Sequence, residues 1–427
     1  MPSDGLFGPL SGTPAMSAAV SDEAWLQAML DTEAALARGG AAAGLFPVDA
    51  AERIAAGCRA ESFDLAALGQ AAVASGTPVV PVLTALRASL PAEVARFVHW
   101  GATSQDVLDT AAMLVSRHAL GILVDGLDAA CARSADLSRR HRSTVMAGRT
   151  LLQQAVPITF GLKCAGWLTG LAETRARLDQ LRQERLAVQL GGAAGTLAAL
   201  GAAGPAVVAA VAAALGLAEP PLPWHTNRVR MAEVAAALGV TLGVTGKVAT
   251  DVILLAQTEV GEVDEADGQG RGGSSTMPHK RNPVGAVAVN ACVARGQPLV
   301  GVILRSMIQE HERAAGAWQA EWETMTELFT LTGTAVERLG EVLGGVEVHP
   351  DRMRENLHLS SGLVMAESVV MSLAPRMDRA EATALVEAAV RAHLSPAEIA
   401  AAVDPSGYLG ATDQFIDRAL RAWRPGG

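Results

Sequence analysis

The 427-residue chain has one tyrosine, three lysines and four cysteines, and aromatic residues make up only 4% of it. With half of the residues apolar and so few of them aromatic, the core is left to Ala, Leu and Val, a mixture that favours helix. Cys58, Cys131, Cys164 and Cys292 lie far apart with no Cys-x-x-Cys spacing. This excludes a zinc ribbon or a disulfide framework and fits buried thiols in a reducing cytoplasm. No uninterrupted apolar run reaches the ~18 residues of a membrane span. Met1 to Pro14 also lacks the basic-then-apolar order of a signal peptide. A cytoplasmic protein with no membrane partner is expected. Positive charge is scarce too, with 34 Lys and Arg against 44 Asp and Glu, a net charge of −10. A general nucleic-acid surface is excluded. An anionic small molecule is not, because a pocket can be locally positive on an acidic protein.

Of the three lysines, Lys163, Lys247 and Lys280, the last stands in unusual company. It lies in Gly272-Gly273-Ser274-Ser275-Thr276-Met277-Pro278-His279-Lys280-Arg281-Asn282-Pro283. Two glycines permit turns closed to other residues, two hydroxyls follow, and Pro283 enters the first turn of an apolar helix. Such a stretch reads as a mobile loop carrying a nucleophile or base beside anion-binding groups, able to close over a charged small molecule and exclude water. A Gly/Ser linker before a helix start is the plainer alternative, but Pro-His-Lys-Arg-Asn-Pro is too dense in functional side chains for it.

Elsewhere the chain is organised by helical periodicity. Ser21 caps a helix with Asp22 and Glu23 in its first turn, closed by Gly39-Gly40. Shorter helices fill residues 48 to 95. From Thr103, Val107, Ala111, Leu114, His118 and Ile122 recur every three or four residues, which predicts a long helix to about His141. Others are predicted from about Pro157 to Leu190, from Arg228 to Val260, and from Val284 to about Leu343 with a bend at Pro298. After Pro350 the helices shorten. The expectation is an all-α protein of three helical domains: residues 1–102, a central long-helix bundle over 103–345 that carries the loop 272–283, and a small domain over 346–427. The apolar stripes are too broad for one antiparallel neighbour, so the bundle is expected to bury faces against other subunits as well.

Polar clusters fall where these patterns break. Val98-His99-Trp100-Gly101-Ala102-Thr103-Ser104-Gln105-Asp106 opens the first long helix. Thr103 and Ser104 read either as its cap or as part of an anion site on the same N–H groups. Gly148-Arg149-Thr150-Leu151-Leu152-Gln153-Gln154 precedes the next helix, and Pro223-Trp224-His225-Thr226-Asn227-Arg228 the one after. Gln309-Glu310-His311-Glu312-Arg313, with Trp318, Glu321 and Trp322, is placed inside the fourth helix as the wall of a polar pocket. His118, His141, His349, His358 and His393 have no such company and read as ordinary histidines.

Gly273 to Pro283 matches the Gly-Ser-Ser-x-Met-Pro-x-Lys-x-Asn-Pro signature of the fumarase/aspartase superfamily without a mismatch, and the other breaks resemble its further motif regions. The resemblance covers essentially the whole chain. It implies a homotetramer whose active sites each draw on three chains. Thr103 and Ser104 match the carboxylate-binding pair, Ser274 the serine that exchanges a proton beside a carboxylate, and Lys280 and Asn282 carboxylate ligands. Ser275 stays open as the acting hydroxyl. His99, Arg149, Gln153, His225, Thr226, Met277 and Arg313 complete the expected substrate-binding set.

Within the superfamily, the phrases His99 to Asp106, Pro223 to Thr226 and Gln309 to Thr324 are similar to the bacterial cycloisomerase branch, whose members lactonise 3-carboxy-cis,cis-muconate. Fumarases and adenylosuccinate lyases carry a histidine after Gly-Arg-Thr, where this chain has Leu151. Leucine transfers no proton, a loss worth about 10²–10⁴ in rate where the leaving group needs one. Lactonisation tolerates it, because the group that leaves in the reverse direction is a carboxylate of pKa about 4. A tricarboxylate substrate is expected, with no cofactor and no metal, since no His, Cys or carboxylate cluster has metal-ligand spacing. An adenylosuccinate-lyase-like enzyme and a non-catalytic helical scaffold are the competing readings.

Overall fold

The computed structural model describes residues 5–265, 272–273, 277, 280–360, 363–373, 377–391 and 404–423. Ser274 and Ser275 lie outside the described residues. The architecture is helical. Helix α1 is Asp22–Ala42, and the long helices are α2 Ser104–Arg140, α3 Phe160–Glu184, α4 Val229–Leu255, α5 Val284–Ser306 and α6 Glu321–Gly345. The cap read at Ser21 is formed, its hydroxyl accepting the Ala24 N–H at 3.2 Å.

Two expectations need correction. The helix predicted from Pro157 begins at Phe160, and the residues before it form a hairpin of β1 Val145–Thr150 and β2 Gln153–Thr159. Alternating side chains such as Val145, Ala147, Val156 and Ile158 suit a strand, but the run is too short to announce it. The fourth helix is two helices, because residues 307–320 leave helical geometry between α5 and α6. His311 (φ 44°) and Gly316 (φ 115°) take backbone angles closed to a right-handed helix. Pro298 sits inside α5 without ending it.

The chain packs as two compact units. The first comprises Met1–Asp125, Arg175–Gly243 and Cys292–Thr334. In it α1 buries Leu26, Met29, Leu30 and Leu36 and packs against helices Val48–Gly57 and Gly204–Leu215. The approach to the second is close, since a Cβ on Gly39 would lie 3.2 Å from the Val211 side chain. The second unit comprises Gly126–Thr174, Val244–Ala291 and Ala335–Gly427. There the hairpin packs on helix Pro350–His358, around Ala147, Leu357, Val364 and Met365. Strand β3 Val263–Glu265 pairs antiparallel with β4 Val346–Val348.

Among the described residues, three helices, α2, α4 and α5, are long and apolar enough to cross a membrane by length and composition. A search for uninterrupted runs passes over them, because their polar residues are spaced and not absent. In α2 and α4, 72% and 50% of the most apolar stretch is buried inside the protein, against 22% in α5. Val284, Val287, Val302 and Leu304 of α5 are exposed.

Candidate active site

In the first unit, α2 begins with an Asp106 carboxylate that gathers three segments. Its Oδ2 accepts the N–H groups of Thr103 (3.0 Å) and Gly192 (2.8 Å), and its Oδ1 accepts that of Gly191 (2.9 Å). The His225 Nε2 lies 2.6 Å from the same Oδ1, on a ring only 5% exposed. Asp106 thereby fixes the turn before α2, the Gly191–Gly192 bend and His225 together. Gly192 has φ +67° and a Cβ there would lie 2.9 Å from the Gly101 carbonyl, so glycine is required. The hydroxyls of Thr103 and Ser104 make no hydrogen bond with the described residues and stand at the α2 N-terminus, where N–H groups favour an anion.

Gln105 links this group to Arg313. Its Nε2 donates to the His225 carbonyl (2.8 Å) and to Asp109 (3.1 Å), and its Oε1 accepts from Arg313 at 3.0 Å. Arg313 also donates to the Ala193 carbonyl at 2.8 Å. Thr103, His225 and Arg313 are thus brought into one hydrogen-bonded group; Thr226 is half-buried next to it. Beneath lies a charged core. Arg228 is fully buried and donates to both oxygens of Asp109 (2.7 and 3.0 Å) and of Glu321 (3.0 and 2.5 Å). Trp318 Nε1 donates to Asp109 at 2.9 Å, and Gln309 reaches Glu321 at 3.4 Å, so the segment between α5 and α6 is anchored on this core. Burial holds the Glu321 carboxyl above its usual range, outweighing an Arg228 charge that Asp109 shares.

The His99 ring has a different partner. Its Nδ1 lies 2.6 Å from Oε1 of Glu33, a residue of α1 that is 1% exposed. The His99 backbone has φ +63°, an uncommon conformation for a residue with a side chain.

In the second unit, Arg149 donates through both Nη atoms to Glu262 at 2.8 and 2.7 Å. Glu262 is fully buried and also accepts from Asn356 Nδ2 at 2.8 Å. The hairpin turns at Leu151 and Leu152, with φ 49° and 64°, where Asn-Gly is the usual choice. Both leucines are exposed, at 96% and 73%, and Gln153 beside them is exposed too. Positive φ in residues other than glycine falls at His99, Leu151, Leu152, Leu197 and His311 among the described residues. Four of these five lie in the segments that the sequence singles out, as backbone strain at functional sites does.

The base of the signature loop is pinched shut. Asn282 donates to the Gly272 carbonyl through its backbone N–H (3.0 Å) and through Nδ2 (2.9 Å). Gly272 has φ +75°, and a Cβ there would meet the Asn282 carbonyl at 2.7 Å. Gly273 bridges to Arg281, and Arg281 reaches Asp264 at 3.4 Å. Met277 and Lys280 are exposed, with the Lys280 N–H donating to the Met277 carbonyl.

Glu33, Gln105, Asp109 and Glu262 do not stand out in the sequence as functional residues; Glu321 reads there as part of a pocket wall, and Asp106 only as part of the segment that opens the first long helix. Glu33 carried a usable signal, since it falls on the buried stripe of α1 with Leu26, Met29, Leu30 and Leu36.

Residues 10–297 match the profile of a lyase family. The chain belongs to this family. The fumarase/aspartase resemblance read from the signature holds over nearly the whole length. The chain is 46% identical to a 3-carboxy-cis,cis-muconate cycloisomerase of Bradyrhizobium diazoefficiens, covering 97% of each. It is 43% identical to a nitrosuccinate lyase of Streptomyces davaonensis, covering 97% of this chain and 94% of that protein. The crystal structure of 3-carboxy-cis,cis-muconate lactonizing enzyme from Pseudomonas putida superposes with a TM-score of 0.90 at 41% identity, covering 97% of this chain and 98% of that one.

Proposed function

We propose that the chain is a lactonising cycloisomerase that converts 3-carboxy-cis,cis-muconate to 4-carboxymuconolactone. The observation that carries this is the 46% identity with the Bradyrhizobium cycloisomerase across 97% of both chains. Leu151 at the hairpin tip supports it, because a reaction whose leaving group is a carboxylate needs no acid there.

The chemistry is an intramolecular anti addition. A substrate carboxylate oxygen bonds to a carbon of the conjugated diene, and the electron pair of that double bond moves towards the carboxylate at its far end. The Ser274 hydroxyl delivers a proton to the adjacent carbon and is reprotonated from solvent, so one proton is taken up per turnover. A serine alkoxide needs stabilisation, which the loop's own N–H groups and Lys280 supply once water is excluded. Thr103 and Ser104 at the α2 N-terminus, with Lys280 and Asn282, hold two carboxylates. Asp106 and Gln105 hold His225 and Arg313 in place beside them. Because both reacting groups belong to one molecule, fixing its curled conformation supplies much of the rate.

The protein works as a homotetramer in a reducing cytoplasm, with each active site drawing on three chains. The exposed apolar residues of α5 and the strained, exposed Leu151–Leu152 tip support this, since both are expected to be covered in an assembly. The thiols support the compartment: all four are buried, and burial pushes Cys58 up to about 12.

The test is ultraviolet absorbance of 3-carboxy-cis,cis-muconate, which falls as conjugation is lost, with identification of the lactone. A second reading, nitrosuccinate elimination, is favoured by the 43% identity with the Streptomyces lyase, and nitrite also leaves as a stable anion without an acid. Release of nitrite from nitrosuccinate, with no change in muconate absorbance, would select it.

A further inference from the structure

We propose that Glu33 is a positioning residue of this reaction, turning the His99 ring so that its Nε2 meets the substrate's third carboxylate. The proposal rests on the cycloisomerase reading. It begins from a residue out of place: Glu33 is a carboxylate on the buried stripe of α1, 1% exposed among Leu26, Met29, Leu30 and Leu36. A buried carboxylate destabilises a fold unless its oxygens are satisfied. Glu33 is half satisfied. Oε1 meets His99 Nδ1 at 2.6 Å, while Oε2 is buried with no hydrogen-bond partner among the described residues. An ion pair kept for stability alone would leave neither an orphaned oxygen nor a partner on a strained backbone, and His99 has φ +63°.

The segment around His99 is held firmly enough to aim a ring. Val98 is buried, and its carbonyl accepts from Arg87 at 3.0 Å. The Trp100 ring packs against Phe46 and Phe97 at 6.5 and 6.0 Å. Gly101 follows with φ +78°, where a Cβ would strike Leu200 at 2.5 Å. With Nδ1 engaged by Glu33, the His99 Nε2 makes no hydrogen bond with the described residues, on a side chain 13% exposed. It stands four residues before Thr103 and five before Ser104, whose hydroxyls are likewise unengaged.

Thr103, Ser104, Lys280 and Asn282 account for two of three substrate carboxylates; of the other candidates, His225 is engaged by Asp106 and Arg313 by Gln105 and the Ala193 carbonyl, which points the third carboxylate to His99. The ring engages Glu33 through Nδ1 and the substrate carboxylate through Nε2, and passes no proton on. Such paired charge-assisted bonds recognise a carboxylate without entering the chemical step. The Glu33–His99 pair therefore reads the group that separates 3-carboxy-cis,cis-muconate from cis,cis-muconate.

The experiment compares Glu33→Gln, His99→Gln and the double variant in the full-length protein. It measures KM and kcat for 3-carboxy-cis,cis-muconate, and the inhibition constant of cis,cis-muconate against it. Each single variant is expected to raise KM about tenfold or more, with kcat within about threefold and the inhibition constant within about twofold. The double variant should resemble His99→Gln alone, because Glu33 acts through His99. Glu33→Asp, which keeps the charge but retracts it, should raise KM by less, and it carries the test should Glu33→Gln not fold. Parallel weakening of both ligands would overturn the proposal, as would unchanged constants or a further loss on adding Glu33→Gln to His99→Gln. Turnover by the unaltered protein checks the cycloisomerase reading separately.

Discussion

Arg149 and Glu262 form a two-pronged ion pair, both Nη atoms meeting both carboxylate oxygens at 2.7–2.8 Å across 113 residues of sequence. Glu262 is fully buried and Arg149 is 22% exposed, so the carboxylate acts as an anchor and the guanidinium faces outward beside the hairpin tip. Lysine cannot span both oxygens. Arg149→Lys should lower kcat/KM by about 10- to 100-fold through misplacement of the Thr150–Gln153 turn. Steady-state kinetics on 3-carboxy-cis,cis-muconate measures it, and a change below about twofold would remove Arg149 from the site.

The Arg228 core is a matter of stability. Arg228→Met leaves Asp109 and Glu321 buried, close together and without their cation. Removing one partner of such a cluster costs about 3–5 kcal/mol. Thermal unfolding should show a fall in Tm of several degrees. It should also show freer proteolysis of residues 307–320, which Trp318 and Gln309 tie to that core. An unchanged Tm would contradict this account.

At the loop base, Gly272→Ala places a methyl 2.7 Å from the Asn282 carbonyl, at a φ of +75°. The strain, of order 1–3 kcal/mol, falls on the pinch that closes the loop and not on the core. Turnover should drop by about two orders of magnitude while Tm moves little. Comparable losses in both would mean that the pinch supports the fold.

His141 sets part of the acid sensitivity. Burial first, and then the Arg140 charge, hold its ring below the ordinary pKa of 6.5. The folded protein binds that proton less readily than the unfolded chain. Its stability is therefore complete above about pH 6.5 and is lost as pH falls below it. His141→Asn should shrink the fall in Tm between about pH 7.5 and 5.5, and an equal fall in both proteins would exclude the effect.

What could be read from the sequence follows from what is local. Amphipathic periodicity marks α2 and α4, and Ser21 marks the start of α1, because these signals sit within a turn or two of one another. The hairpin was missed because its strands are short and its turn is Leu151-Leu152 instead of a glycine turn. The break between α5 and α6 was missed because Ala314, Ala315 and Ala317 suit a helix, and only backbone angles at His311 and Gly316 end it. The signature residues stood out by type and spacing. Their partners Glu33, Asp109 and Glu262 did not, since a lone carboxylate on a helix or beside a strand reads as solvated until its partner arrives from 66, 119 or 113 positions away.

The central claim is that the Ser274 hydroxyl moves the proton while a carboxylate closes the ring. It is tested most directly by following 3-carboxy-cis,cis-muconate absorbance with the unaltered protein and with Ser274→Ala at equal concentration. Absorbance is predicted to fall with the first and to stay flat with the second, both having the same Tm. Retention of most activity by Ser274→Ala would contradict the account.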